Sequence, residues 1–160
     1  MTNYPDLLRL LTEHGVEFII IGGAAAVLHG SSRLTQDLDI VYRRSPENLT
    51  RLTKALETQA PYLRGAPPGL PFEWSKKTLQ MGMNFTLAIK LGQLDILGEV
   101  TGGGRYEDLL NHTIEVEVFG VRCHCLNLEA LIQTKRAAGR PKDFEAIAEL
   151  KAILEERQKR

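Results

Sequence analysis

At 160 residues, 43% of them hydrophobic, the chain has enough apolar surface for one core and too little for two ordinary domains, so residues 1–160 are expected to form a single domain. Its 20 Lys plus Arg balance 20 Asp plus Glu, which argues against holding long nucleic acid by bulk positive charge and leaves a small charged ligand open. The longest apolar run, from Phe18 to Leu28, is broken by His29 far short of a bilayer span, and the start lacks the pattern of a signal peptide. A cytoplasmic location with no membrane partner is expected.

Leu7, Leu8, Leu10 and Leu11 recur at helical spacing up to a stop at Gly15, after which Val16 to Ile21 reads as a buried strand. Gly22-Gly23 breaks that strand, and Ala24 to His29 has high helix propensity before Gly30-Ser31-Ser32 ends it. Asp37 to Tyr42 alternates polar and apolar residues and then turns to β-formers, which predicts a second strand. Ser45-Pro46-Glu47 opens a helix to about Gln59, with serine as N-cap and proline in the first turn. Pro61 to Pro71 holds four of the seven prolines and reads as a loop, either beside a site or a plain connector.

Phe85 to Lys90 and Gln93 to Leu97 predict a hairpin around Leu91-Gly92, and Ile114 to Phe119 and Val121 to Cys125 another around Gly120. Leu128, Leu131 and Ile132 start a helix, and Asp143 to about Gln158 forms a last one with Phe144, Ile147, Ala148, Leu150 and Ile153 on one face. The expected fold class is α+β, a mixed β-sheet with helices packed on it and a cleft at the Gly22-Gly23 end.

Side chains two apart on a strand share a face, so Asp37 and Asp39 point together while Leu38 and Ile40 enter the core. Two carboxylates held that close repel unless a cation sits between them, and Mg2+ (or Mn2+) shared with substrate phosphates is the natural occupant; the alternative is a solvated pair at a strand start. Asp95 interrupts the apolar strand Leu94, Ile96, Leu97 and needs a partner, either the same metal or a salt bridge. The Gly22-Gly23 turn allows a phosphate close to the backbone, or simply packs a helix tightly on the sheet. Arg33 stands near the acidic pair as a phosphate contact or an ion-pair partner, and Thr35 is placed to hold the turn by hydrogen bonding.

Cys123-His124-Cys125 carries metal-binding side chain types, but alternation sets His124 on the opposite face and no further cysteine exists to complete a zinc site, so core cysteines are expected. His14, His29 and His112 sit singly at helix ends, where capping or exposure explains them. Trp74 and Phe72 are candidates for stacking on a base or for anchoring the loop.

Gly22-Gly23, then Gly30-Ser31, then Arg33-Leu34-Thr35-Gln36-Asp37-Leu38-Asp39-Ile40, with Asp95 on a later strand, resembles the nucleotidyltransferase superfamily related to DNA polymerase beta. The Gly-Gly, Arg-x-Thr-x-Asp-x-Asp form is similar to AbiEii-type toxin nucleotidyltransferases and their small relatives, as is Lys135-Arg136-Ala137-Ala138-Gly139-Arg140-Pro141-Lys142-Asp143. The resemblance implies the nucleotidyltransferase fold and transfer of a nucleoside monophosphate from a nucleoside triphosphate to an acceptor: RNA, a protein or a small molecule. It implies Asp37, Asp39 and Asp95 as catalytic metal ligands, with Asp95 also activating the acceptor.

Gly22, Gly23, Ser31, Arg33, Thr35, Lys135, Arg140 and Asp143 are the expected nucleotide contacts, Asp143 orienting Lys135 or Arg140. A helix cap and a solvated basic face are the plainer account of Lys135, Arg140, Lys142 and Asp143. An antitoxin partner is a further implication. Many members have serine or threonine where this chain has Ala24, which leaves open a catalytically inactive binding module unless Ser31 or Ser32 replaces the hydroxyl.

Overall fold

The computed structural model describes residues 2–160. The chain opens with α1 (Tyr4–Glu13), whose Asn3 side chain accepts a hydrogen bond from the Asp6 amide. It buries Leu7, Leu8 and Leu11, the stripe expected from their spacing. Strand β1 (Phe18–Ile21) follows, buried at every position as an interior strand must be.

Helix α2 (Gly22–Leu28) starts directly at Gly22, so the two glycines form its first turn and not a separate loop before it. Gly22 has φ +65°, and a Cβ there would overlap the Asp39 carboxylate, so only glycine serves at the point where strand becomes helix. Strand β2 (Asp37–Tyr42) and helix α3 (Pro46–Leu56) follow, the latter capped by Ser45 accepting from the Asn48 amide.

The segment expected to be a loop contains a short strand, β3 (Tyr62–Leu63), and is followed by α4 (Lys76–Met81); neither was expected from the sequence. Trp74 Nε1 donates to the Thr53 carbonyl at 2.9 Å and Phe72 meets Tyr62 edge-on, so both aromatics anchor this segment. Strands β4 (Asn84–Ile89) and β5 (Gly92–Leu97) form the first expected hairpin. A short α5 (Tyr106–Leu109) with a following 3-10 turn is also unforeseen, being too brief to show periodicity.

Strands β6 (Thr113–Val118) and β7 (Val121–Leu126) form the second hairpin, turning through Phe119 and Gly120, both at positive φ. The chain ends in α6 (Leu128–Ala138) and α7 (Pro141–Gln158), separated by Gly139 in the left-handed region and Arg140 as N-cap.

The seven strands form one mixed sheet in the order β3-β4-β5-β2-β1-β7-β6. The central strands β5, β2 and β1 carry the core, with Leu38, Ile40, Leu94, Ile96 and Ile19 fully buried. No helix among the described residues is long and apolar enough to cross a membrane.

His29 is the C-cap of α2, one of the two expected roles, but it is buried at 4% exposure: its Nε2 lies 2.8 Å from the Leu126 carbonyl, and Arg157 reaches both its Nδ1 and its carbonyl. Partners so distant in sequence leave no local signal. Cys123 and Cys125 are buried free thiols, as expected for core cysteines, with burial pushing them up to about 11 and about 12.

Candidate active site

Strands β2 and β5 run parallel with Asp39 directly beside Asp95 and Asp37 beside Gln93. Alternation on β2 and register between strands together set Asp37, Asp39 and Asp95 on one face, with a ligand oxygen from each within 4.8 Å of the others. Local sequence makes the strands; the pairing makes the cluster.

Asp39 lies deepest, and its Oδ1 is buried with no hydrogen-bond partner. Burial, reinforced by the Asp95 and Asp37 charges, pushes its carboxyl up to about 8. Burial also raises the Asp95 carboxyl, opposed by the Arg64 guanidinium. A buried carboxylate oxygen with no donor, facing two further carboxylates, fits a hard divalent cation, which would satisfy the lone pairs and cancel the repulsion.

Arg64 was not among the expected site residues. It follows β3 at the sheet edge, its Nη2 lies 2.6 Å from Asp95 Oδ1 and 3.7 Å from Asp37 Oδ2, and its Nη1 donates to the Leu87 carbonyl at 3.2 Å. It is the only charged residue between Pro61 and Pro71, and that was the available signal.

From the opposite wall, Lys135 of α6 lines the cleft with Gly22, Asp39, Asp95 and Arg140. Burial lowers its pKa, while the Asp143 and Asp39 charges hold it up. Arg140 donates from Nε to Asp143 Oδ2 at 2.8 Å and from Nη2 to Oδ1 at 3.2 Å, a paired grip on a carboxylate only 2% exposed. Burial acts to raise the Asp143 carboxyl, but the hydrogen bonds from Arg140 side chain and backbone outweigh it and hold it below the ordinary value. Asp143 therefore both caps α7 and fixes the Arg140 guanidinium at the cleft.

Arg33, Arg64, Lys135, Arg140 and Lys142 all border one cleft of about 670 Å³ beside the acidic cluster, together with Gly22, Gly23, Ser31 and Thr35. Thr35 donates to the Asp37 carbonyl at 3.2 Å and so holds the turn into β2. Ser31 and Ser32 are engaged otherwise, both hydroxyls donating to Glu149 of α7 at 2.6 and 3.0 Å. Arg33 pairs with Glu145 at 3.3 Å and Glu149 at 3.8 Å. This trio docks α7 on the segment before β2, the ion-pair reading of Arg33.

Ala24 faces an apolar pocket shared with Tyr4, Leu8, Ile20 and Leu38 and does not line the charged cleft. Helix α2 has seven residues, too few for a strong end field, so the positive charge at the cleft is carried by side chains.

The chain matches no protein-family model and no curated protein sequence. Solved structures do match. A lincosamide antibiotic adenylyltransferase, LnuA, bound to lincomycin, superposes with TM-score 0.62 at 18% identity over 96% of this chain and 98% of that one. ANT(2")-Ia in complex with adenylyl-2"-tobramycin gives TM-score 0.57 at 17% identity over 92% of this chain and 85% of its own. An antigenic nucleotidyltransferase-like protein from Paracoccidioides brasiliensis gives 0.53 at 18% identity, covering 91% and 72%. Over nearly its whole length, the chain has the nucleotidyltransferase fold.

Proposed function

We propose that this cleft binds a nucleoside triphosphate and transfers its nucleoside monophosphate to a hydroxyl-bearing acceptor. The observation that carries the reading is the orphaned, buried Asp39 Oδ1 between Asp37 and Asp95, facing a cleft bordered by five cationic side chains. Acidic cluster and basic wall together suit a ligand that brings both metal and polyphosphate.

Asp37, Asp39 and Asp95 would hold Mg2+ or Mn2+, which supplies charge stabilisation for attacking and leaving oxygens. Lys135 and Arg140 bind and orient the triphosphate tail, with Asp143 fixing the guanidinium plane. Gly22 and Gly23 line the cleft, and their missing side chains leave room for Asp39 and Thr35 beside the backbone that the phosphates would approach. The acceptor oxygen bonds to the α-phosphorus as the bond to pyrophosphate breaks, and the hydroxyl proton passes to Asp95. Asp95 is placed for this by its position on β5 directly beside Asp39.

A small hydroxylated molecule is the favoured acceptor class, because LnuA is bound to lincomycin and ANT(2")-Ia to adenylylated tobramycin, each on a matching fold. The toxin-antitoxin reading is carried by the resemblance to AbiEii-type proteins alone and is not part of the proposal. The inactive-module reading drew on Ala24 and on the small size of the chain, and the position of the Ala24 side chain, off the charged cleft, weakens the first of these.

The test is to incubate the protein with each labelled nucleoside triphosphate, Mg2+ and either a metabolite extract or an RNA-and-protein fraction, following pyrophosphate and label. Label on a small molecule, lost in Asp39→Asn, is the expected result. Triphosphate binding without pyrophosphate release under any condition would return the protein to a binding module.

A further inference from the structure

Three strands and the residue that follows β3 line up one residue each across the sheet at the acidic cluster. The Arg64 amide donates to the Thr86 carbonyl at 2.9 Å, Thr86 pairs with Asp95, and Asp95 pairs with Asp39. The Arg64 side chain spans this row and places its Nη2 on Asp95 Oδ1 at 2.6 Å, with Asp37 Oδ2 at 3.7 Å. One oxygen each of Asp95 and Asp37 is therefore already engaged by a cation of the chain itself, one that does not deprotonate in proteins.

We propose that Arg64 is a displaceable counter-ion of this site: in the empty protein it neutralises Asp95 and Asp37, and on loading it yields them to the metal and turns its guanidinium to the triphosphate. The inference rests on the metal-and-triphosphate reading above. Two cations on the same carboxylates repel, so metal entry weakens the Arg64 pair and favours its release. The freed guanidinium has an acceptor nearby, because Arg64 borders the same cleft as Lys135 and Arg140.

Its surroundings permit the move. Arg64 leaves a strand of two residues at the sheet edge, and a side chain built on the following Gly65 would meet nothing within 4 Å. The move gives up the Nη1 bond to the Leu87 carbonyl at 3.2 Å, while the backbone bond to Thr86 can persist. Asp39, whose Oδ1 has no partner, is the part of the cluster that Arg64 does not reach.

Arg64→Gln provides the test, since it removes the charge while keeping a polar side chain. Mn2+ binding without nucleotide is measured from the free-ion paramagnetic resonance signal, and inorganic triphosphate binding is measured by calorimetry at saturating Mg2+. The expected signature is opposite in sign: Mn2+ binds about tenfold more tightly to Arg64→Gln than to the parent, and triphosphate about tenfold more weakly, each step being one charge-assisted contact.

A merely structural arginine would shift both in one direction or neither, and either pattern overturns the proposal. In the parent protein, the 15N side-chain resonance of Arg64 should move on Mg2+ addition, and an unmoved resonance at saturation overturns it independently of any variant. Asp39→Asn separates the two levels: if it leaves Mn2+ binding unchanged, the metal reading fails and this inference with it. If Asp39→Asn abolishes binding while Arg64→Gln matches the parent, only the inference fails.

Discussion

Two strands of this sheet carry the same acidic spacing with opposite outcomes. On β2, Asp37 and Asp39 stand beside Asp95 of β5 in a central pairing. On β6, Glu115 and Glu117 are likewise two apart, but they lie on the edge strand opposite His124 and Arg122 of β7. The Glu115 side chain is 62% exposed with Arg122 at 4.0 Å, whereas the Asp95 side chain is 16% exposed and faces two carboxylates as well as Arg64 at 2.6 Å. A pair of carboxylates becomes a site through what the sheet sets beside it, a third carboxylate with restricted water, and not through its spacing.

The largest effect that sharpens this contrast is on chemistry. Asp39→Asn is expected to lower nucleotidyl transfer by about a thousandfold or more, the several kcal/mol that metal-stabilised charge contributes. Asp37→Asn should act in the same direction, while Glu115→Gln and Glu117→Gln leave turnover unchanged in the same steady-state assay. Equal turnover for Asp39→Asn and the parent would erase the distinction between the two strands.

Asp95→Asn is expected to reduce the single-turnover transfer rate about a hundredfold, within the range of general-base contributions, with a smaller loss of triphosphate affinity. Equal losses in rate and affinity would make Asp95 an ordinary metal ligand. Lys135→Ala should weaken triphosphate binding about tenfold, one charge-assisted contact, with nucleoside binding little changed. Lys159→Ala, in the exposed C-terminal turn, should alter neither when both are measured by calorimetry.

Stability provides a quieter test, made without metal. The folded Asp39 carboxyl is pushed up from 3.8 to about 8, so the folded state holds a proton there that the unfolded state gives up. The Asp39 contribution to stability is therefore present below pH 3.8 and is lost as pH rises towards about 8. Asp39→Asn should stabilise the metal-free protein at pH 8 by on the order of 1–3 kcal/mol, the cost of an unsatisfied buried polar group, and flatten that part of the denaturation profile. Glu115→Gln, on an exposed side chain, should change stability by no more than about 0.5 kcal/mol at any pH in the series.

The sequence shows Asp37, Asp39 and Asp95 because each departs from, or repeats within, a strand pattern that one reading window contains. It does not show that Asp39 pairs with Asp95, because parallel register between β2 and β5 depends on the whole sheet. The break at Gly139 to Pro141 was legible, since glycine in the left-handed region and proline in a first helical turn have local causes. Arg64 was hidden because proline and glycine mask the two residues of β3, and its role appears only once Tyr62 and Leu63 pair with β4. Ser31 and Arg33 sat at the right place in the motif, yet their docking onto Glu145 and Glu149 of α7 could not be read locally.

The two ends of the cleft are made at different times. Arg64, Asp37, Asp39 and Asp95 leave the ribosome well before Lys135, Arg140 and Asp143, a gap of a few seconds at ~5–20 residues per second. During that interval the chain has its carboxylates but lacks the basic wall supplied by α6 and the start of α7. Because Arg64 precedes Asp95 in the chain and bonds to it directly in the finished fold, the counter-charge of the acidic cluster is synthesised before the cluster is complete.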